Sequence, residues 1–292
     1  PLAIYALARG NSPSNPGGWS APEVIGCFIV AGAALAWFIV AELRNPAPLL
    51  QIRLLAERNF GISMAVLTLF AIGMLGGTYL LPLYMQRGLG YTALAAGSMF
   101  LPVGVIQGVL SAVSGYLTRY VRPLLLSAAG ILIMALSFWL ASRFTLHTTH
   151  GHILFILYLR GFGMGLTFAP LNLFSLKNLT QQDMAAAAGI SNSIKQLAGS
   201  IGIALLTVIF SARTSYHAAH ETVSAAQTYV EGVTDALRVV AVITLAALLP
   251  LLGVFRKKRP GKSGVKGAAT PSPGEAVSGK TDKTTIYRTK PE

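Results

Sequence analysis

This sequence predicts an all-α integral membrane fold, and three observations carry the prediction. Of 292 residues, 53% are hydrophobic and only 11% are charged, against about 25% charged in a soluble domain. Mean hydropathy is +0.59. The apolar residues gather in repeated runs close to the ~20 residues a helix needs to cross the hydrocarbon. Helices are expected because a helix satisfies its own backbone polar groups in lipid.

Residues 1–9 read as the exit of a span, and the chain opens on Pro1 instead of Met. The expectation is therefore the C-terminal part of a longer protein. A turn-rich loop follows, dense in Pro, Gly, Asn and Ser. The first complete span is placed at 22–41. Residues 42–59 form a connector that carries Arg44, Arg53 and Arg58 and lies partly on the membrane surface. Six further spans are placed at 60–85, 94–117, 122–141, 152–175, 189–211 and 236–255. None of the ten Asp and Glu residues falls in the middle of a predicted span.

The formal charge of +13 does not point to nucleic acid. Residues 256–292 hold ten Lys and Arg against three acids, so this tail supplies +7 and the rest of the chain +6. No nucleic-acid-binding motif or basic helical face accompanies it. Rich in Gly, Pro, Ser and Thr, the tail buries too little apolar surface to order itself. Its first residues, Arg256 to Arg259, are placed to attract anionic headgroups of membrane lipids. Without the tail, segments on its side of the membrane hold six Lys and Arg, and the opposite loops hold three. By the positive-inside rule the C-terminus faces the cytoplasm. The single Cys27 forms no intrachain disulfide and no cysteine-based metal site.

The two spans at 152–175 and 189–211 carry polar groups that lipid disfavours, and such groups are by default a hypothesis of function. Asn192, Lys195, Gln196 and Gly199 recur at i, i+3, i+4, i+7, one helical stripe. A Lys at the centre of a membrane helix costs on the order of 3 kcal/mol. Lys195 lies roughly 9 Å from the cytoplasmic end, at 1.5 Å per residue. It either lines a cavity as a gating residue or anchors at the interface. Arg160 either pairs with a carboxylate outside this chain or snorkels outward. Asn172 and Gln107 are candidates for the same cavity, with helix–helix hydrogen bonding as the alternative for Gln107. Gly161 and Gly165 form a small-xxx-small pair for close helix packing, not a phosphate loop, since no strand precedes them. Pro170 is expected to kink its helix just above Asn172.

Tyr79, Tyr84, Tyr158, Phe162, Phe168, Met85 and Met164 suit either the core or an adaptable cavity for bulky apolar cations or amphiphiles. All five histidines are placed in outer loops: His147, His150, His152, His217 and His220. The first three either bind a metal or sense pH, or are simply solvated. No Ser/His/Asp, Cys/His or paired-carboxylate arrangement points to catalysis, and the chain is read as no enzyme.

An internal echo links Pro82–Gly97 to Pro170–Gly189. Each leaves a helix through Pro-Leu, turns, and re-enters through an Ala-rich run ending in Gly. Inverted three-helix repeats of transporters produce such an echo.

Three stretches carry a family resemblance: ELRNPAPLLQIRLL, YLLPLYMQRGLGYTALAAGSMFLPVG, and RGFGMGLTFAPLNL with AAAAGISNSIKQLAGSIGIALL. Together they resemble the EmrB/QacA-type, fourteen-span drug:proton antiporters of the major facilitator superfamily, over about residues 20–255. The resemblance implies that 1–41 belong to the two extra central spans and 60–255 to the C-terminal six-helix half. It also implies a missing N-terminal half that carries the coupling acid, and a basic residue near Lys195. The loop GYLTRYVRP departs from the family's gating motif: Gly115, Arg119 and Arg122 echo it, but its acid is absent.

The function implied is efflux of drug-like or amphiphilic compounds by alternating access in a bacterial cytoplasmic membrane. Such a transporter uses no cofactor beyond the proton motive force, and its partners are lipids, small amphiphilic substrates, the N-terminal half and a periplasmic adaptor. The competing reading is a truncated, non-transporting membrane protein that acts as an assembly or regulatory partner.

Overall fold

A computed structural model describes residues 21–44, 52–177, 179–181, 183–220 and 224–257. The predicted span exit at 1–9, part of the 42–59 connector and the basic tail from residue 258 lie outside them. Helix α1 is Pro22–Arg44. A short 3-10 turn, Ile52–Ala56, leads into α2, Arg58–Leu83. The others are α3 Ala93–Ser98, α4 Leu101–Leu117, α5 Pro123–Ala141, α6 His150–Leu176, α7 Asp183–His220, α8 Ala225–Ala246 and α9 Leu248–Lys257. Among the described residues no strand occurs, and six helical stretches are long and apolar enough to cross a membrane. They begin at Arg58, Ala93, Pro123, His150, Asp183 and Ala225.

Prolines set three of the breaks between elements. A proline has no N–H to donate to the carbonyl four residues earlier. Pro102 cannot bond to Ser98, and α3 gives way to α4 at that point. Pro250 cannot bond to Ala246, and α8 gives way to α9. Pro82 lies inside α2, which then loosens into a π-helical turn over Tyr84–Gly88. Pro170 does not break its helix: α6 runs through it to Leu176. Thr92 and Ser224 cap α3 and α8 by accepting hydrogen bonds from Ala95 N at 3.2 Å and Gln227 N at 3.3 Å.

Packing centres on α2, α5, α6 and α8. Phe60, Phe70, Leu80, Ile131, Phe138, Ile153 and Val240 are fully buried among them. The buried hydroxyls of Ser63, Thr167 and Thr244 donate to carbonyls of their own helices at 2.7–2.8 Å, so none enters the apolar core unsatisfied. Helices α5 and α6 approach each other closely. A Cβ added at Gly163 would lie 2.9 Å from both the Gly130 carbonyl oxygen and the Met134 nitrogen. Gly161 and Gly165 turn instead to α4, facing the backbone oxygens of Val103 and Gln107. The pairings mirror one another: α2 with α7 answers α6 with α4, and α5 with α6 answers α8 with α2. Helices α4 and α7 are the least buried of the set.

Three sequence expectations change here. The last crossing does not begin at 236: α8 starts at Ala225, so Glu231 and Asp235 lie inside a helix. The helix predicted over 189–211 extends to Asp183–His220, because Ala-rich polar flanks keep helix propensity where apolar periodicity ends. His217 and His220 therefore belong to the last turns of α7, and His150 and His152 to the first turn of α6. Only His147 sits in a loop.

Candidate cavity between helices α2, α6 and α7

Near the turn joining α6 to α7, three helices enclose a cavity of about 330 Å³. Leu67 of α2 lies at its apolar side, with Phe168 and Leu176 of α6. Phe168 is held edge-on by Phe70, with ring centroids 5.5 Å apart. Its polar side is Asn172 and Ser175 of α6 with Ser191, Asn192 and Lys195 of α7. Helical spacing explains the grouping. Phe168, Asn172 and Ser175 recur at i, i+4, i+7, as do Ala188, Asn192 and Lys195.

The serine hydroxyls donate to their own helices, Ser175 to the Asn172 carbonyl at 2.8 Å and Ser191 to the Ala187 carbonyl at 2.7 Å. Their oxygen lone pairs remain available, while the amides of Asn172 and Asn192 stand exposed with both donors and acceptors. Lys195 is half-buried and, among the described residues, is the only charged side chain lining the cavity. The arrangement offers an apolar floor, several neutral hydrogen-bonding groups and one ammonium.

The other candidates lie elsewhere. Gln196 is exposed beside Lys195 but outside this lining, and Gly199 turns to Leu75 of α2. Gln107 is half-buried on α4, and its backbone oxygen faces Gly165.

Arg160 does not snorkel outward, and no carboxylate among the described residues pairs with it. It is 2% exposed, wedged between α2, α5 and α6. Its Nη2 donates to the Met74 carbonyl at 3.1 Å and to the Thr78 hydroxyl, and its guanidinium lies 5.3 Å from the centroid of the Phe138 ring. Nη1 is buried without a hydrogen-bond partner. Arg119, in the loop that echoes a gating motif, lies over the Tyr116 ring at 5.4 Å.

Residues 5–203 match the Major Facilitator Superfamily. The chain belongs to this superfamily. It is a multi-pass membrane protein, and the superfamily's members are transporters, not enzymes. The chain is 32% identical to the multidrug export protein EmrB of Escherichia coli K12, over 70% of the chain and 40% of that relative. It is 30% identical to the fatty acid resistance protein FarB of Neisseria gonorrhoeae, over 67% of the chain and 38% of FarB. It is also 30% identical to the uncharacterised transporter YhcA of Bacillus subtilis, over 74% of the chain and 41% of YhcA. The chain thus spans about two-fifths of the length of these curated relatives.

The sequence contained the cavity's polar members Asn172, Asn192 and Lys195 and, on its apolar side, Phe168, but not Leu67 and Leu176. Leu67 and Leu176 look like any other leucines in an apolar run, and only the packing of three helices singles them out.

Proposed function

We propose that this chain forms one wall of the substrate path of a proton-coupled efflux transporter for amphiphilic compounds. The observation that carries the reading is the cavity in which an apolar floor meets Asn172, Asn192 and Lys195. An amphiphile needs both halves of such a site: burial for its apolar body and hydrogen bonds for its head. The sign of the cavity's charge narrows the head group. A cationic head would face Lys195 at close range in a low-dielectric setting, whereas a neutral or acidic head would be stabilised there. The names of the relatives EmrB and FarB support an export role.

In this reading the cavity opens toward the cytoplasm of a bacterial cell and the six-helix unit rocks against further helices of the same transporter. In the same reading the proton carrier belongs to those helices. A periplasmic adaptor and the surrounding lipids complete the assembly. The test is transport by the intact transporter containing this chain, in an efflux-deficient strain and in proteoliposomes. A substrate-dependent proton flux and lowered accumulation of an acidic amphiphile are expected. Wild-type protein that moves neither protons nor amphiphile would overturn the proposal.

A further inference from the structure

Helices α7 and α8 meet along a strip that ends in a charged cluster. Phe210 packs edge-on against Tyr229 with centroids 4.9 Å apart. One turn further, Gly232 approaches the Thr214 backbone so closely that a Cβ would lie 3.2 Å from its nitrogen. At the next turn His217 stands between two carboxylates of α8. Its Nδ1 lies 3.5 Å from Glu231 Oε2, and its Nε2 lies 3.1 Å from Asp235 Oδ2. Both acids are largely covered, with side chains 30% and 18% exposed, and His217 is 15% exposed.

The remaining groups of the cluster leave a place for one proton. Arg238 Nη1 donates to Asp235 Oδ1 at 2.7 Å, and Arg213 Nε lies 3.9 Å from Asp235 Oδ2. Gln227 Nε2 donates to Glu231 Oε1 at 3.1 Å. Glu231 Oε2 is buried and has no hydrogen bond. On α7, Tyr216 and His220 stack on each other at 4.4 Å. From the α5–α6 connection, His147 shares a cavity of about 200 Å³ with Gln227 and Glu231. Arg87, from the turn after α2, lies beside Tyr229. Glu221, next in the chain after His220, lies outside the described residues.

A neutral imidazole has one N–H and one lone pair, so one of the two carboxylates would face that lone pair. An imidazolium donates to both. We propose that His217, Glu231 and Asp235 form a proton-binding site that clasps α7 to α8 at the end of the bundle where α7 finishes and α8 begins. The bound proton sits on the ring nitrogen facing Glu231. The two arginines do not replace it, because their side chains are 55% and 58% exposed and their charges are screened by water. When the proton leaves, the clasp to Glu231 opens, while the contacts to Asp235 and those of Phe210 and Thr214 remain to hold α7 to α8. The site stands whether or not the chain exports amphiphiles.

The test is thermal unfolding of the intact protein in nanodiscs between pH 6 and 8.5. The proton favours the clasped form, so the wild-type Tm should fall across this window by about 2–4 °C. His217→Gln should remove that step, and Glu231→Gln should shrink it while keeping His217 in place. His147→Gln, the histidine that shares a cavity with Glu231, should keep it. An unchanged step in both His217→Gln and Glu231→Gln, or its loss in His147→Gln, would place the proton elsewhere and overturn the proposal. Should His217→Gln not fold, Glu231→Gln and His147→Gln still decide between the two outcomes.

Discussion

Two cations at membrane depth illustrate how similar sequence features acquire different physics. Lys195 faces a cavity with hydrogen-bonding neighbours, whereas Arg160 is enclosed by α2, α5 and α6 with no acid beside it among the described residues. Replacing a buried charge with an apolar side chain of similar volume is often neutral, or stabilising by about 1–4 kcal/mol. Thr78 already donates to the Met74 carbonyl at 2.6 Å, so removing the guanidinium leaves neither group unpaired. Arg160→Met is therefore expected to unfold no earlier than the wild type in a detergent melt. Lys195→Gln acts differently. It should leave the melt unchanged and raise KM for an acidic amphiphile about tenfold, the loss of one charge-assisted contact of roughly 1.4 kcal/mol. Lys195→Arg should restore part of that loss. Equal KM values for all three proteins would remove Lys195 from the substrate path.

At the scale of helices, glycine positions separate contact from open surface. Gly163 meets backbone atoms on α5, which cannot move aside as a side chain can. Gly163→Val should cost about 1–3 kcal/mol by overpacking. Gly189, on α7, has open space around the position of a Cβ, and Gly189→Ala should instead stabilise by ~0.5–1 kcal/mol through helix propensity. Melting curves followed by circular dichroism check both. Element existence was legible in the sequence because apolar periodicity marks every crossing. The polar ends of α7 and α8 were not, since periodicity stops at the membrane surface while the helix continues. That is why Glu231, Asp235 and His217 read as loop residues, although the i, i+4 spacing of the two acids was present as a signal of one helical face. Arg160 was legible as costly but not as enclosed, because its partners Met74, Thr78 and Phe138 come from distant parts of the chain.

For the whole molecule, the charge asymmetry of the connections makes orientation a prediction open to direct measurement. With Cys27 replaced by Ser, a cysteine introduced at Thr180, between α6 and α7, is expected to react only with reagents that reach the cytoplasm. One at Thr148, between α5 and α6, should react from outside. The opposite labelling pattern would invert the bundle and move the cavity of Lys195 to the outer side. The length of α7 has a mechanical meaning under either orientation. Its 38 residues extend about 57 Å at 1.5 Å per residue, well past a hydrocarbon core of ~30 Å. Lys195 and His217 stand roughly 33 Å apart along this single rod. A tilt of about 10° pivoting near Lys195 would sweep the His217 end through ~6 Å, so a small rotation at the cavity is magnified at the far end of α7.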